Sequence, residues 1–173
     1  MSVVLETSRL YLRPCQLDDL TVVHPLWTND RIRYFLFDDR VISLDETRSF
    51  IDDSLTNFDQ YGYGIWLVYT RPDLGLIGFA GCLRSDDETP GLIYGIRPDY
   101  CNRGYATEAM NSVLNYVSTL PLTHVVADVD EPNEASIQVL KKLGMKQTKR
   151  DIIHGRPLLY FEYELEKNGD DAP

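Results

Sequence analysis

Cysteine is scarce in this chain of 173 residues: only Cys15, Cys82 and Cys101 occur, an odd number with no CxxC spacing. That excludes a disulfide scaffold and fits a reducing compartment, so the cytoplasm is the expected location. Histidine is equally sparse, and His24, His124 and His154 lie too far apart for ligand spacing, so no metal is expected. Positive charge is short as well. Lys and Arg number 17 against 27 Asp and Glu, a formal net charge of -10, which argues against nucleic acid or an anionic membrane as partner. The acidity suits a cationic amine substrate, and solubility alone also accounts for it. No apolar run reaches transmembrane length, and the N-terminus lacks the basic-then-apolar pattern of a signal peptide. Repeats, low-complexity segments and Pro/Gly/Ser linkers are missing. So are a Walker loop, a Gly-x-Ser-x-Gly elbow and a basic RNA-binding stripe. The run Gly75-x-x-Gly78-x-x-Gly81 sits in no strand-to-helix turn, so it reads as a hairpin corner with close strand packing rather than a dinucleotide fingerprint.

What is present is an ordinary globular composition, 43% hydrophobic and 25% charged. The length suits one domain with a full core, residues 1–167, followed by an acidic, frayed tail, 168–173. Residues 9–13 alternate as a strand and 17–27 read as a helix. Residues 29–41 are mixed. Ser43-Leu44-Asp45-Glu46 forms a capping box that opens a helix with Phe50, Ile51, Leu55 and Phe58 on one face. Strands follow at 65–70, 76–83 and 92–96, with an acidic loop at 85–90. A helix at 104–120, a strand at 124–129 and a helix at 134–143 ended by Gly144 come next. Residues 146–152 and 158–165 close as a hairpin. This order predicts a mixed sheet with helices on both faces.

The most informative stretch is Arg97-Pro98-Asp99-Tyr100-Cys101-Asn102-Arg103-Gly104-Tyr105-Ala106-Thr107-Glu108-Ala109. A strand runs into a short loop that opens a helix on Gly104 and Ala106, whose small size admits a ligand close to the backbone. Unpaired N–H groups and the positive dipole end of the first helical turn make an anion site that suits a diphosphate. The residues alone also allow a simple helix entry with an arginine for solubility. Cys101 at this helix start reads either as a thiol of lowered pKa or as a half-buried spacer.

The stretch resembles the acyl-CoA pyrophosphate loop of the GNAT superfamily of N-acetyltransferases, Gln/Arg-x-x-Gly-x-Gly/Ala. Cys101-Asn102-Arg103-Gly104-Tyr105-Ala106 fits its last three positions, with Cys101 in the Gln or Arg place. The RimJ/RimL-like branch commonly reads Pro-Glu-Tyr-Trp-Gly-Lys-Gly-Tyr-Ala-Thr-Glu-Ala, close to residues 98–109 here. Glu6-Thr7-Ser8-Arg9-Leu10-Tyr11-Leu12-Arg13-Pro14 is similar to the opening strand of that branch. Asn133-Glu134-Ala135-Ser136-Ile137-Gln138-Val139-Leu140-Lys141-Lys142-Leu143-Gly144-Met145 is similar to its Asn-x-x-Ser-x-x-x-x-x-Lys-Leu-Gly-Phe segment. The resemblance implies an α/β (α+β) fold: a mixed, mostly antiparallel central sheet, helices on both faces, and two central parallel strands, 92–96 and 124–129, that splay apart.

It also implies transfer of an acetyl group from acetyl-CoA to a primary amine by direct attack in a ternary complex. The acceptor would be a small-molecule amine or a protein N-terminus. Cofactor binding then falls to Cys101, Asn102, Arg103, Gly104, Tyr105, Ala106 and Thr107, mainly through backbone N–H groups. The backbone N–H near Ile96 would polarise the thioester carbonyl. Asn133, otherwise an N-cap, would hold the pantetheine amide, and Ser136 would hydrogen-bond the departing thiolate. The tyrosine used by other branches is Leu140 here. No carboxylate occurs between Gly91, the usual glutamate place, and Ile96, so the amine's proton is left to Tyr94, backbone carbonyls or water. Tyr34, Phe35, Asp38 and Asp39 form the expected substrate wall, since carboxylates beside aromatics suit a cation; a packed loop with a solvated acidic edge is the other reading. A non-catalytic acyl-CoA-binding module or sensor is the rival function. A monomer or homodimer is expected.

Overall fold

The computed structural model describes residues 3–84 and 88–166. The expected acidic tail, 168–173, and part of the loop 85–90 lie outside the described residues. The strands are β1 (Leu5–Glu6), β2 (Leu10–Pro14), β3 (Ile65–Thr70), β4 (Leu76–Arg84), β5 (Pro90–Ile96), β6 (His124–Asp130), β7 (Lys146–Ile153) and β8 (Arg156–Glu164). The helices are α1 (Leu20–Trp27), α2 (Asp30–Leu36), α3 (Leu44–Tyr61), α4 (Tyr105–Val117) and α5 (Glu134–Lys142).

All eight strands join one sheet in the order β1-β2-β3-β4-β5-β6-β8-β7. Every neighbouring pair is antiparallel except β5 and β6, which are parallel. Strand β3 shows why both faces must be covered. Ile65, Trp66, Leu67 and Val68 are all buried, so successive side chains enter opposite layers. Trp66 and Val68 join the layer beneath α4 and α5, with Met110, Val113, Val117 and Leu140. Ile65 and Leu67 join the layer beneath α1 to α3, with Val23, Trp27, Ile32 and Ile51. The register of β4 slips once: Val68 pairs with Gly78 but Tyr69 with Leu76, so Ile77 is an extra residue. The bulge turns Ile77 into the first layer while Leu76 packs on the second. At Gly78 an added Cβ would lie 2.2 Å from Gly95 O, and at Gly81 2.1 Å from Gly64 O, so the glycine run does mark close strand packing.

Between β5 and β6 the only paired register is Gly91 with Val126. Beyond it the strands diverge, which is the splay that the resemblance implied. The capping box of α3 is present: Ser43 Oγ accepts from Glu46 N–H at 3.1 Å, and Glu46 Oε2 accepts from Ser43 N–H at 2.8 Å. Two local readings change. Residues 29–41 hold the helix α2, capped by Asn29 Oδ1 accepting from Arg31 N–H, a signal too short to show a period. The helix expected at 104–120 ends at Val117, where Ser118 Oγ and Thr119 Oγ1 turn back onto the carbonyls of Asn115 and Tyr116. The face of that second layer also carries a half-buried ion pair. Arg13 grips Asp19 with two bonds of 2.8 and 2.7 Å, while Gln16 N–H and Tyr69 Oη complete the set.

Candidate active site

Strand β5 leaves the sheet at Ile96, passes through a single 3-10 turn (Pro98–Tyr100) and enters α4 at Tyr105. The first bond of the helix is Glu108 N–H to Gly104 O. Among the described residues, the N–H groups of Asn102, Arg103, Gly104, Tyr105, Ala106 and Thr107 therefore have no acceptor. Asn102 and Gly104 both take the left-handed region, φ 61° and 78°, which bends the run into a concave surface. Consecutive N–H groups at a helix N-terminus favour an anion. All of these residues but Arg103 line a cavity of about 440 Å³, together with Tyr94, Ile96, Tyr100, Gln138, Val139 and Lys142.

The structure sorts the residues singled out from the sequence. Cys101, Asn102, Gly104, Tyr105, Ala106 and Thr107 line this cavity, and Arg103 does not. The Arg103 guanidinium lies over the Tyr100 ring at 5.5 Å instead. Cys101 Sγ is 3.5 Å from both Ile96 O and Arg97 O. Partial burial pushes its thiol pKa up, and Arg31 only partly offsets this, so the helix start does not make it a reactive thiolate. Lys142 was not foreseen. It has no ion-pair partner among the described residues and sits on the opposite wall, where Lys141-Lys142 close the last turn of α5.

The splay holds the remaining groups. Arg97 gives its N–H to Ile77 O at 2.7 Å on the β4 side. Backbone groups alternate between edges along a strand, so Ile96 N–H points the other way, where no β6 residue pairs with it. Tyr94 reaches across the gap and donates its hydroxyl to Ser136 O at 3.2 Å. Burial pushes the Tyr94 phenol up to about 12, countered only in part by that bond. This keeps Tyr94 protonated and makes it a donor rather than a base at neutral pH. Asn133 Oδ1 caps α5 by accepting from Ser136 N–H at 3.2 Å. Its amide lines a second cavity, not the first. The Ser136 hydroxyl has no partner among the described residues, and the residue lines both cavities.

The second cavity, about 330 Å³, opens on the α2 side. Phe35 and Asp38 line it with Ile93, Leu158 and Arg156. Arg156 donates to Asp38 Oδ1 at 2.5 Å and lies 3.4 Å from Asp130 Oδ2. Tyr34 stacks over the Arg156 guanidinium at 5.8 Å and so stands at the rim. Asp39 is not in the wall; it pairs with Arg33 at 3.1 Å.

A second residue that sequence reasoning missed is Asp128. Along β6, Val125, Ala127 and Val129 are buried against α4 and α5, which turns Asp128 and Asp130 to the other face and into this cavity. Asp130 is paired with Arg156; Asp128 has no ion pair among the described residues. Asp128 is exposed to solvent, yet the cavity walls around it first and the neighbouring Asp130 charge second raise its carboxyl pKa, against a bond from its own N–H. An aspartate out of phase with three small apolar residues was the signal in the sequence.

The matching family model describes an acetyltransferase (GNAT) domain and covers residues 9–146. A Bacillus subtilis protein named as an uncharacterized N-acetyltransferase, YoaA, is 27% identical over 150 residues, 85% of each chain. Among solved structures, a GNAT-family acetyltransferase from Bordetella pertussis superposes with a TM-score of 0.82 at 21% identity, covering 92% of this chain and 98% of its own. RimL, a ribosomal L7/L12 α-N-protein acetyltransferase solved with coenzyme A, superposes with a TM-score of 0.81 at 12% identity, covering 96% of this chain and all of its own. A helix entry with unpartnered N–H groups among the described residues, a splayed parallel pair and a family match over residues 9–146 agree: the chain belongs to the GNAT acetyltransferase family.

Proposed function

We propose that this protein is an acetyl-CoA-dependent N-acetyltransferase of the RimJ/RimL-like branch, built as one domain over residues 1–167, that acetylates a primary amine in a ternary complex. The observation that carries the reading is the meeting of two cavities. One is lined by five residues whose N–H groups have no acceptor among the described residues and the other by a carboxylate of raised pKa, and they share only Tyr94 and Ser136, in the splay.

The residues present fit the cofactor. The amides of 102–107 suit its diphosphate, Lys142 adds a cation to the same cavity, and the splay leaves a backbone edge for an extended arm. Acetyl-CoA, when bound, supplies a thioester carbonyl and a thiol leaving group. Ile96 N–H polarises the carbonyl oxygen as negative charge develops there. Ser136 Oγ–H, without a partner among the described residues, hydrogen-bonds the sulfur. Tyr94 holds the α5 backbone against β5 and keeps water out of the gap. Asp128 takes the proton from the incoming ammonium; its raised pKa makes it a stronger base than an ordinary aspartate. The acceptor, a small-molecule amine or a protein N-terminal amine, enters past Phe35 and Asp38. The non-catalytic reading drew on the missing carboxylate of β5, and Asp128 offers one from β6.

The test is release of free CoA thiol with acetyl-CoA and a panel of polyamines, amino acids and peptides. Release that depends on the amine is expected. Tight acetyl-CoA binding without release across the panel, at every pH from 6 to about 9, would mark a sensor instead.

A further inference from the structure

We propose that Arg9 is a positioning residue for the cofactor loop, clamping it in its concave shape through Arg103 O and Glu108. This rests on the reading of residues 102–107 as the diphosphate site. A loop that keeps six N–H groups for a ligand cannot be held by those groups. Something else must fix it, and the structure shows what. Arg9 Nη1 donates to Arg103 O at 3.0 Å, in the middle of the run. Its Nε donates to Glu108 Oε2 at 2.6 Å, and its Nη2 lies 2.5 Å from the same oxygen. The guanidinium covers the Tyr105 ring at 4.5 Å. Thr7 Oγ1 donates to the other carboxylate oxygen, Oε1, at 2.5 Å. One side chain from the β1–β2 turn thus holds the loop carbonyl, the first helical ring and the first-turn carboxylate together.

The contacts join two segments that the sequence offers separately, Thr7-Ser8-Arg9 and Thr107-Glu108-Ala109. They also have an electrostatic consequence. Burial alone would raise the Glu108 pKa, but Thr7 and Arg9 hold it below the usual carboxylate range, so it is ionised. An unpaired carboxylate one turn inside α4 would oppose a bound diphosphate. Arg9 cancels that charge and leaves the helix N-terminus to the ligand. Each guanidinium nitrogen is engaged with the protein and Arg9 does not line the cofactor cavity, so it acts through the loop and not by touching the cofactor.

The experiment measures the Kd of CoA and of S-acetylpantetheine, which lacks the diphosphate, for the wild type, Arg9→Ala and Arg9→Lys. Thermal unfolding confirms that each folds. Arg9→Ala should weaken CoA tenfold or more and leave S-acetylpantetheine within twofold. Arg9→Lys, with charge but no fork, should fall between. If Arg9→Ala does not fold, Arg9→Lys with Glu108→Gln carries the same comparison. Equal CoA affinity in Arg9→Ala and the wild type would overturn the clamp, and so would equal loss of both ligands, which marks a merely structural role. A wild type that binds CoA no better than S-acetylpantetheine would instead defeat the loop assignment itself.

Discussion

Gly104→Ala separates backbone strain from ligand contact, because the chain contains a matched control. Gly104 has φ +78° and Gly155 has φ +77°. A Cβ at Gly104 would meet only Arg9 Nη2 at 3.5 Å, an ordinary contact, and a Cβ at Gly155 would meet nothing within 4 Å. Neither alanine clashes, so both carry the same left-handed penalty of about 1–2 kcal/mol. Reduced freedom of the unfolded chain offsets about 0.4–1 kcal/mol of it. The net loss is about 1 kcal/mol, or about 2–4 °C in Tm at this chain length. The two variants differ in what else the methyl does. At Gly104 it enters the cavity wall that presents the N–H groups, whereas Gly155 lines neither cavity. Displacing one N–H from a charged oxygen costs about 1.5–3 kcal/mol, so Kd for CoA should rise about tenfold to a hundredfold. Calorimetric titration of CoA with thermal unfolding reads both quantities. Equal Tm losses with weakened CoA binding only in Gly104→Ala are expected. CoA binding unchanged in a folded Gly104→Ala, or weakened equally in Gly155→Ala, would refute the reasoning.

Asp128→Asn should lower kcat/KM about a hundredfold or more and abolish the acid limb of its pH profile. The Asp128 pKa is raised by partial desolvation and the Asp130 charge, so above it the native state carries a charge penalty that asparagine lacks, small because Asp128 is exposed, and Tm near neutral pH should stay about level. Asp19→Asn should cost about 2–3 kcal/mol at pH 7, a value discounted because Arg13 remains partly exposed. Burial would raise the Asp19 pKa, but Arg13 and Gln16 N–H outweigh it and hold the pKa low. That stability is present above the ordinary carboxylate pKa and lost as pH falls through the lowered one, so acid unfolding of the variant should be less steep in that window. Gly81→Ala forces a Cβ to 2.1 Å from Gly64 O, and with no flexible side chain to yield it should cost about 3 kcal/mol, read in chemical denaturation.

The fold was legible where period and caps are strong. Strand β3 follows the apolar run, and α3 begins at its capping box with Ile51 buried as expected. Helix α2 was not legible, because seven residues between Asn29 and Phe37 are too few to show a period and their aromatics resemble a loop wall. The strand-to-helix entry at residues 97–109 was legible because its small residues and helix start are consecutive in the sequence. The second cavity was not, because it gathers α2, β5, β6 and the β7–β8 turn, and only Phe35 and Asp38 of the expected wall line it. Asp39, one residue on, folds back onto Arg33 instead. Asp128 and Lys142 depend on which face of a strand or helix is turned to a cleft. The Arg9–Glu108 clamp joins residues about a hundred positions apart, a pairing that no local pattern encodes.

The most direct measurement is an amide NMR titration of the ¹⁵N-labelled protein with CoA. The account predicts that the amides of Asn102 to Thr107 and of Ile96 show the largest shifts, saturating together. Saturable binding that leaves those amides unmoved, or shifts centred on other elements, would contradict the assignment of the six unpartnered N–H groups to the cofactor.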